Sequence, residues 1–289
     1  MTVQTESQVS QDLRLIIRQG LLPARGGGWW AGYSNMLAKE LGEWFRTRRW
    51  LWQLLIWSVI LDGLIAFMLF ALPVLNTLMP GLPTREQLFA GLPPEVGAVM
   101  QFFSFLVMTG TIGAIILAQD EIIQEKQSGT AAWILSKPVA RMAFILTKLL
   151  SNITGVLVFI VFVPGVLLIG QLYLATHQLV PLVPFLAGSG VILLALVFYV
   201  SLVILLGVLF ENRGPVLGIA FGVLWGGMIL RNFIPQILYV LPLGMEGVAM
   251  GVEQGMPLPA MYVSELISTA VLSILFTLVA LWRFQHIEL

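Results

Sequence analysis

Apolar residues along this chain fall into six long runs divided by short polar stretches, and few polar positions interrupt a run. About 30 Å of hydrocarbon takes about 20 helical residues to cross. The runs near 51–75, 99–118, 143–170, 185–210, 216–238 and 262–282 are long enough. A segment crossing lipid must satisfy its own backbone hydrogen bonds, so each run predicts a helix and the chain predicts an all-α polytopic membrane protein. Before the first run, Tyr33, Leu37, Leu41 and Trp44 recur at helical spacing, while Lys39, Glu40, Glu43 and Arg46 take the other side. That pattern predicts an amphipathic helix within 31–50 lying in the membrane surface, or one merely continuous with the first span. Residues 1–30, polar and ending in Gly26-Gly27-Gly28, read as a flexible tail ahead of a transmembrane domain at 31–289.

Composition agrees with a lipid-embedded chain. At 58% hydrophobic, 10% charged and mean hydropathy +0.93, 289 residues cannot hide their apolar surface in a soluble core. The absence of cysteine excludes disulfides and thiolate metal sites, and zero net charge argues against nucleic acid. Of the fifteen Lys and Arg residues, all but Arg85 and Arg231 lie before the first run, around the polar segment that follows the second, or beside Arg213 and Arg283. Lys and Arg are retained on the cytoplasmic side. Both termini and the polar segment are therefore expected there, in a cell (inner) membrane, with the segments around 76–97, 171–184 and 242–260 external.

That polar segment, Asp120 to Arg141, is the most informative part of the chain (DEIIQEKQSGTAAWILSKPVAR). Carboxylates at Asp120 and Glu121 suit a helix N-terminus, and Gly129 permits a sharp break. Thr130 can cap a second short helix that stops before Pro138. This second helix carries Trp133, Ile134 and Leu135, apolar side chains that need either the bilayer or a partner's groove. The spacing of Glu125, Gly129-Thr130, Leu135-Ser136, Pro138-Val139, Arg141 and Lys148 resembles the cytoplasmic loop of ABC-2 type transporter permeases, a family whose members include a permease serving copper-site maturation of nitrous oxide reductase. The resemblance runs from about Ser34 to the C-terminus.

Several expectations follow from that resemblance. The helix at 31–50 is similar to the family's elbow helix, and the second island helix to its coupling helix, seated in an ATP-hydrolysing subunit with Glu125 and Arg141 as polar contacts or braces. An interfacial amphipathic loop without a partner is the plainer alternative. The chain has no G-x-x-x-x-G-K-[ST] loop, so ATP and Mg belong to the partner and this subunit binds no cofactor and is no enzyme. Six spans form half a transporter, which implies a second copy or a similar permease. The expected activity is ATP-driven transport, more export than import. A force-transmitting or scaffold subunit that moves no solute is the competing reading.

Within the spans, Gly214, Gly218, Gly222 and Gly226 recur every four residues, a smooth face for another copy or for a neighbouring span. The family places spans 2 and 5 around a central path, and Gln101, Ser104, Met108 and Thr111 form a mildly polar stripe on span 2. Asp62, mid-span, contacts substrate or proton or makes a structural hydrogen bond. Arg231 and Glu265 are expected to pair near the outer face. Met245, Met250, Met256 and Met261 are soft ligands for Cu(I) or, more simply, gap fillers. With His177 and His286 the only histidines and none beside Ser189, no catalytic residue is expected.

Overall fold

A computed structural model describes residue 30 and residues 32–79, 81–119, 121–135 and 139–286. These residues form helices and connecting turns, with no strand among them. Six helical runs are long and apolar enough to cross a membrane: Trp50–Leu78 (span 1), Pro94–Gln127 (span 2), Arg141–Thr176 (span 3), Leu182–Leu209 (span 4), Arg213–Leu230 (span 5) and Ala260–Gln285 (span 6). Span 5 stops short of the expected 238. Asn232 and Phe233 turn, and Pro235 opens a separate 3-10 segment, Pro235–Tyr239, because proline cannot extend the preceding ladder.

Span 4 is the centre of the bundle. In its apolar window 83% of residues are buried, against 28% in span 1 and 22% in spans 5 and 6. It packs on span 6, on span 2 and on a short helix, α5 (Met245–Glu253), from the segment that joins spans 5 and 6. Span 1 packs on spans 2 and 3, where Trp57 fills a notch at Gly113 that any Cβ would close.

Three spans carry a π-helical turn: Phe67–Ala71, Val156–Phe162 and Gly222–Gly226. In spans 1 and 3 a proline follows, Pro73 or Pro164. Proline has no N–H to offer the carbonyl four residues back and crowds it, and a widened turn relieves that crowding. In span 1 the freed carbonyl belongs to Leu69, and Arg85 from the connection between spans 1 and 2 supplies the missing donor at 2.7 Å. Arg85 opens α2 (Arg85–Leu88), which Thr84 and Gln87 start with a capping box.

The first helix, α1 (Tyr33–Arg46), is separate from span 1, because Thr47 ends it and Arg48 takes a left-handed conformation (φ 57°). Its buried face is Met36, Glu40 and Trp44 rather than Tyr33, Leu37, Leu41 and Trp44. Trp44 stacks on Phe159 of span 3 with ring centroids 5.4 Å apart and donates to Ser151 at 3.1 Å. Gly155 makes room for that indole, since a Cβ there would strike the ring. The expected polar face is thus rotated inward at one position, Glu40, which faces Lys148 of span 3.

Candidate functional site

The polar island folds as two short helices, α3 (Glu121–Gln127), which forms the last turns of the run that holds span 2, and α4 (Thr130–Leu135), which precedes span 3. Gly129 at φ +73° makes the break, a conformation that costs glycine nothing. At the start of α4 the Ser128 hydroxyl accepts the Thr130 N–H at 3.4 Å, and the Gly129 carbonyl accepts the first helical bond, from the Trp133 N–H at 3.0 Å. On α4, Ile134 turns into the core at 8% exposure and Trp133 turns outward at 61%. Ser136, Pro138 and the side chain of Leu135 lie outside the described residues, as does the tail before residue 30.

Behind α4 sits an ionic cluster that joins three parts of the chain. Lys148, 2% exposed in the first turns of span 3, reaches Glu125 of α3 at 3.1 Å and Glu40 of α1 at 3.3 Å. Lys39 bridges the same two carboxylates at 3.3 and 3.5 Å, and Asn152 donates to Glu121 at 2.8 Å. Partial burial pulls Lys39 down, but Glu125, Glu40 and Glu43 outweigh it, so its ammonium sits above the ordinary 10.5. Glu40 is buried because an ammonium enclosed in apolar surroundings requires a counter-charge. Lys148 also lies over the Phe144 ring, which stacks on Phe284 of span 6 at 5.1 Å.

Two cations of the island cap other spans. The last carbonyls of a helix have no intrahelical donor and carry the negative end of its dipole. Lys126 covers those of span 4, donating to Gly207, Val208 and Phe210 at 3.1–3.4 Å, and Gln127 adds a bond to Glu211. Arg141 does the same for span 6, donating to Gln285 at 2.9 Å and Phe284 at 3.5 Å. Glu125 and Arg141 are therefore both braces within the chain. Lys126 was missed in the sequence, where its only signal was a cation just ahead of the Gly129 break.

The other expected site residues are dispersed. Asp62 is 2% exposed in span 1, and neither carboxylate oxygen has a hydrogen-bond partner among the described residues, so of the two roles expected for it the structural hydrogen bond is not seen there. An ionised aspartate at such depth costs roughly 2.5–3.5 kcal/mol or more. The span 2 stripe splits: Thr111 is buried at 1%, Met108 faces outward at 41%, and Ser104 ties span 2 to α5 through Glu246 at 2.5 Å. Gln101 is half-buried beside them.

Arg231 and Glu265 make no direct salt bridge among the described residues, although the Arg231 charge acts on the Glu265 carboxylate. Arg231 donates to the Leu243 carbonyl at 2.8 Å, and Glu265, fully buried, accepts the next N–H, that of Gly244, at 2.6 Å. The two side chains clamp one backbone turn from opposite sides, and the turn needs its glycine because a Cβ at Gly244 would lie 2.8 Å from a Glu265 oxygen. Met245 is packed in a small apolar cluster with Val248 and Ala195, whereas Met256 is exposed. Gly214, Gly218, Gly222 and Gly226 have no neighbouring atom within 4 Å of a Cβ position among the described residues, so this face packs against none of the other described spans. An open cleft of about 660 Å³ lies elsewhere, in the connection between spans 1 and 2 beside Asn76, Thr84 and Arg85.

The fold thus defines an all-helical chain with six potential membrane-crossing helices, the architecture of a multi-pass membrane protein. Residues 87–289, which hold spans 2 to 6 and the whole island, match the family described as "Protein of unknown function (DUF2705)", and the chain belongs to that family. No curated protein matches it.

Proposed function

We propose that the chain is the permease subunit of an ATP-driven transporter of the ABC-2 type, with α1 as its elbow helix and α4 as the coupling helix that a separate ATPase subunit grips. The observation that carries this reading is the contrast within α4: Trp133 is 61% exposed on a helix whose roots are fixed by Glu125, Lys126 and Arg141 to α1 and to spans 3, 4 and 6. A loop serving only as a connection needs no such bracing. A lever does, because force applied to a loose loop is lost in bending.

In this reading the island end is cytoplasmic, in line with the Lys and Arg bias, and the chain sits in the cell membrane with both termini inside. ATP binding draws two partner subunits together, α4 moves with them, and the caps on spans 4 and 6 pass the movement into the bundle. The open glycine face of span 5 receives a second copy or a similar permease, and Gln101 and Ser104 of span 2 face the path near it. A subunit that transmits force without moving a solute would use the same island.

One experiment addresses the reading. The chain is purified with its co-isolating ATPase and reconstituted in vesicles, and complex formation, ATPase stimulation and solute flux are measured for wild type and Trp133→Ala. Loss of complex and of stimulated hydrolysis in the variant is expected. An unchanged complex with unchanged activity would remove the coupling role, and stimulated hydrolysis without flux would favour the force-transmitting subunit.

A further inference from the structure

Asp62 stands about 18 Å along the axis from the start of span 1 at 1.5 Å per residue, in a run of 29 residues. It is near the middle of the span. One turn earlier on the same face, the Ser58 hydroxyl is also buried without a partner. The flanking positions on this side, Leu61 and Ile65, are fully buried, and Trp57 is locked into the Gly113 notch of span 2. Asp62 is thus held in an apolar seam among spans 1, 2 and 3 by neighbours that cannot neutralise it.

The titratable side chains on the elements packed against span 1 lie toward its two ends. At one are Tyr33, Lys39, Glu40, Glu43 and Arg46 of α1, Glu121, Glu125 and Lys126 at the close of span 2, and Arg141 and Lys148 at the head of span 3; at the other are Arg85 and Glu86 of α2, Glu95 at the start of span 2 and Tyr173 near the end of span 3. The π-helical turns of spans 1 and 3 contribute none. A carboxylate 2% exposed, with no cation or donor in reach among the described residues, has one low-cost state, the neutral acid. A short polar residue at an apolar mid-span position is also out of place if packing were its only task, since a leucine would serve better.

We propose that Asp62 is a proton-binding site: its carboxyl is held as the neutral acid in this conformation and exchanges its proton with water when the seam among spans 1, 2 and 3 opens. The bond made and broken is the carboxyl O–H, and water is the donor and acceptor. The proposal does not depend on an ATPase partner and stands or falls separately from the coupling role of α4.

Infrared spectroscopy of the full chain in phosphatidylcholine vesicles tests it. Asp12, Asp62 and Asp120 are the only aspartates, so aspartate labelled with carbon-13 at the side-chain carboxyl gives three signals at most. A labelled protonated-acid C=O band is expected near neutral pH, absent from Asp62→Asn, displaced back to the unlabelled glutamate position in Asp62→Glu, and shifted in D2O as the proton exchanges. Should Asp62→Asn fail to fold, the Asp62→Glu displacement still assigns the band. Carboxylate bands alone from all three aspartates would overturn the proposal, and so would an acid band that never shifts in D2O.

Discussion

At the scale of single residues, the Lys148 ammonium organises the island. It is an enclosed cation with two carboxylates, and breaking one member of such a group costs about 3–5 kcal/mol because the others are left uncompensated. Lys148→Met should lower the thermal unfolding temperature strongly, and Glu40→Gln added to it should restore part of the loss in a double-mutant cycle. Lys39 is 42% exposed, so its share is smaller and falls with salt. Its raised value means that the stabilisation is complete below the ordinary lysine 10.5 and fades as pH climbs through the folded value above it. Wild type and Lys39→Met should therefore converge in unfolding temperature above that pH. Glu40 was illegible in the sequence because amphipathic patterning assigns every charge to the wet face. The only hint was Lys148, a cation at the head of an apolar run that had to find an anion somewhere.

Among the helices, length and hydropathy sufficed to place six runs, because a membrane-crossing helix is defined by those two properties alone. The π-helical turns were not legible, although Pro73 and Pro164 marked two of the three places where the ladder had to adjust. Helix caps were equally hidden, since they depend on which ends meet in space. Lys126→Ala should leave the final carbonyls of span 4 without a donor, at about 1–3 kcal/mol if they stay buried, and should speed amide hydrogen exchange in its last turn. Lys126→Arg should keep the protection. Gly155→Ala should push Trp44 out of its slot, and faster proteolysis near Thr47–Arg48 with altered indole fluorescence would register the detachment of α1. Protection unchanged by that substitution would show that Gly155 and Trp44 do not hold α1 in place.

For the whole molecule, the glycine face of span 5 separates folding from assembly. Among the described residues nothing covers Gly218 or Gly222, so Gly218→Leu should leave the unfolding free energy of the single subunit within about 0.5 kcal/mol of wild type while reducing self-association in cross-linking. Equal cross-linking would show that copies do not meet there. The periodicity of these glycines was visible in the sequence, but whether they faced a neighbouring span was not, because small residues serve both contacts alike. The unequal enclosure of the spans has a mechanical corollary. Span 4 is a keel, wrapped on most sides and fastened at its end by Lys126, whereas span 1 rides alongside like an outrigger, with much of its surface left to lipid. An outrigger can roll without breaching the hull, and Asp62 travels on that outrigger.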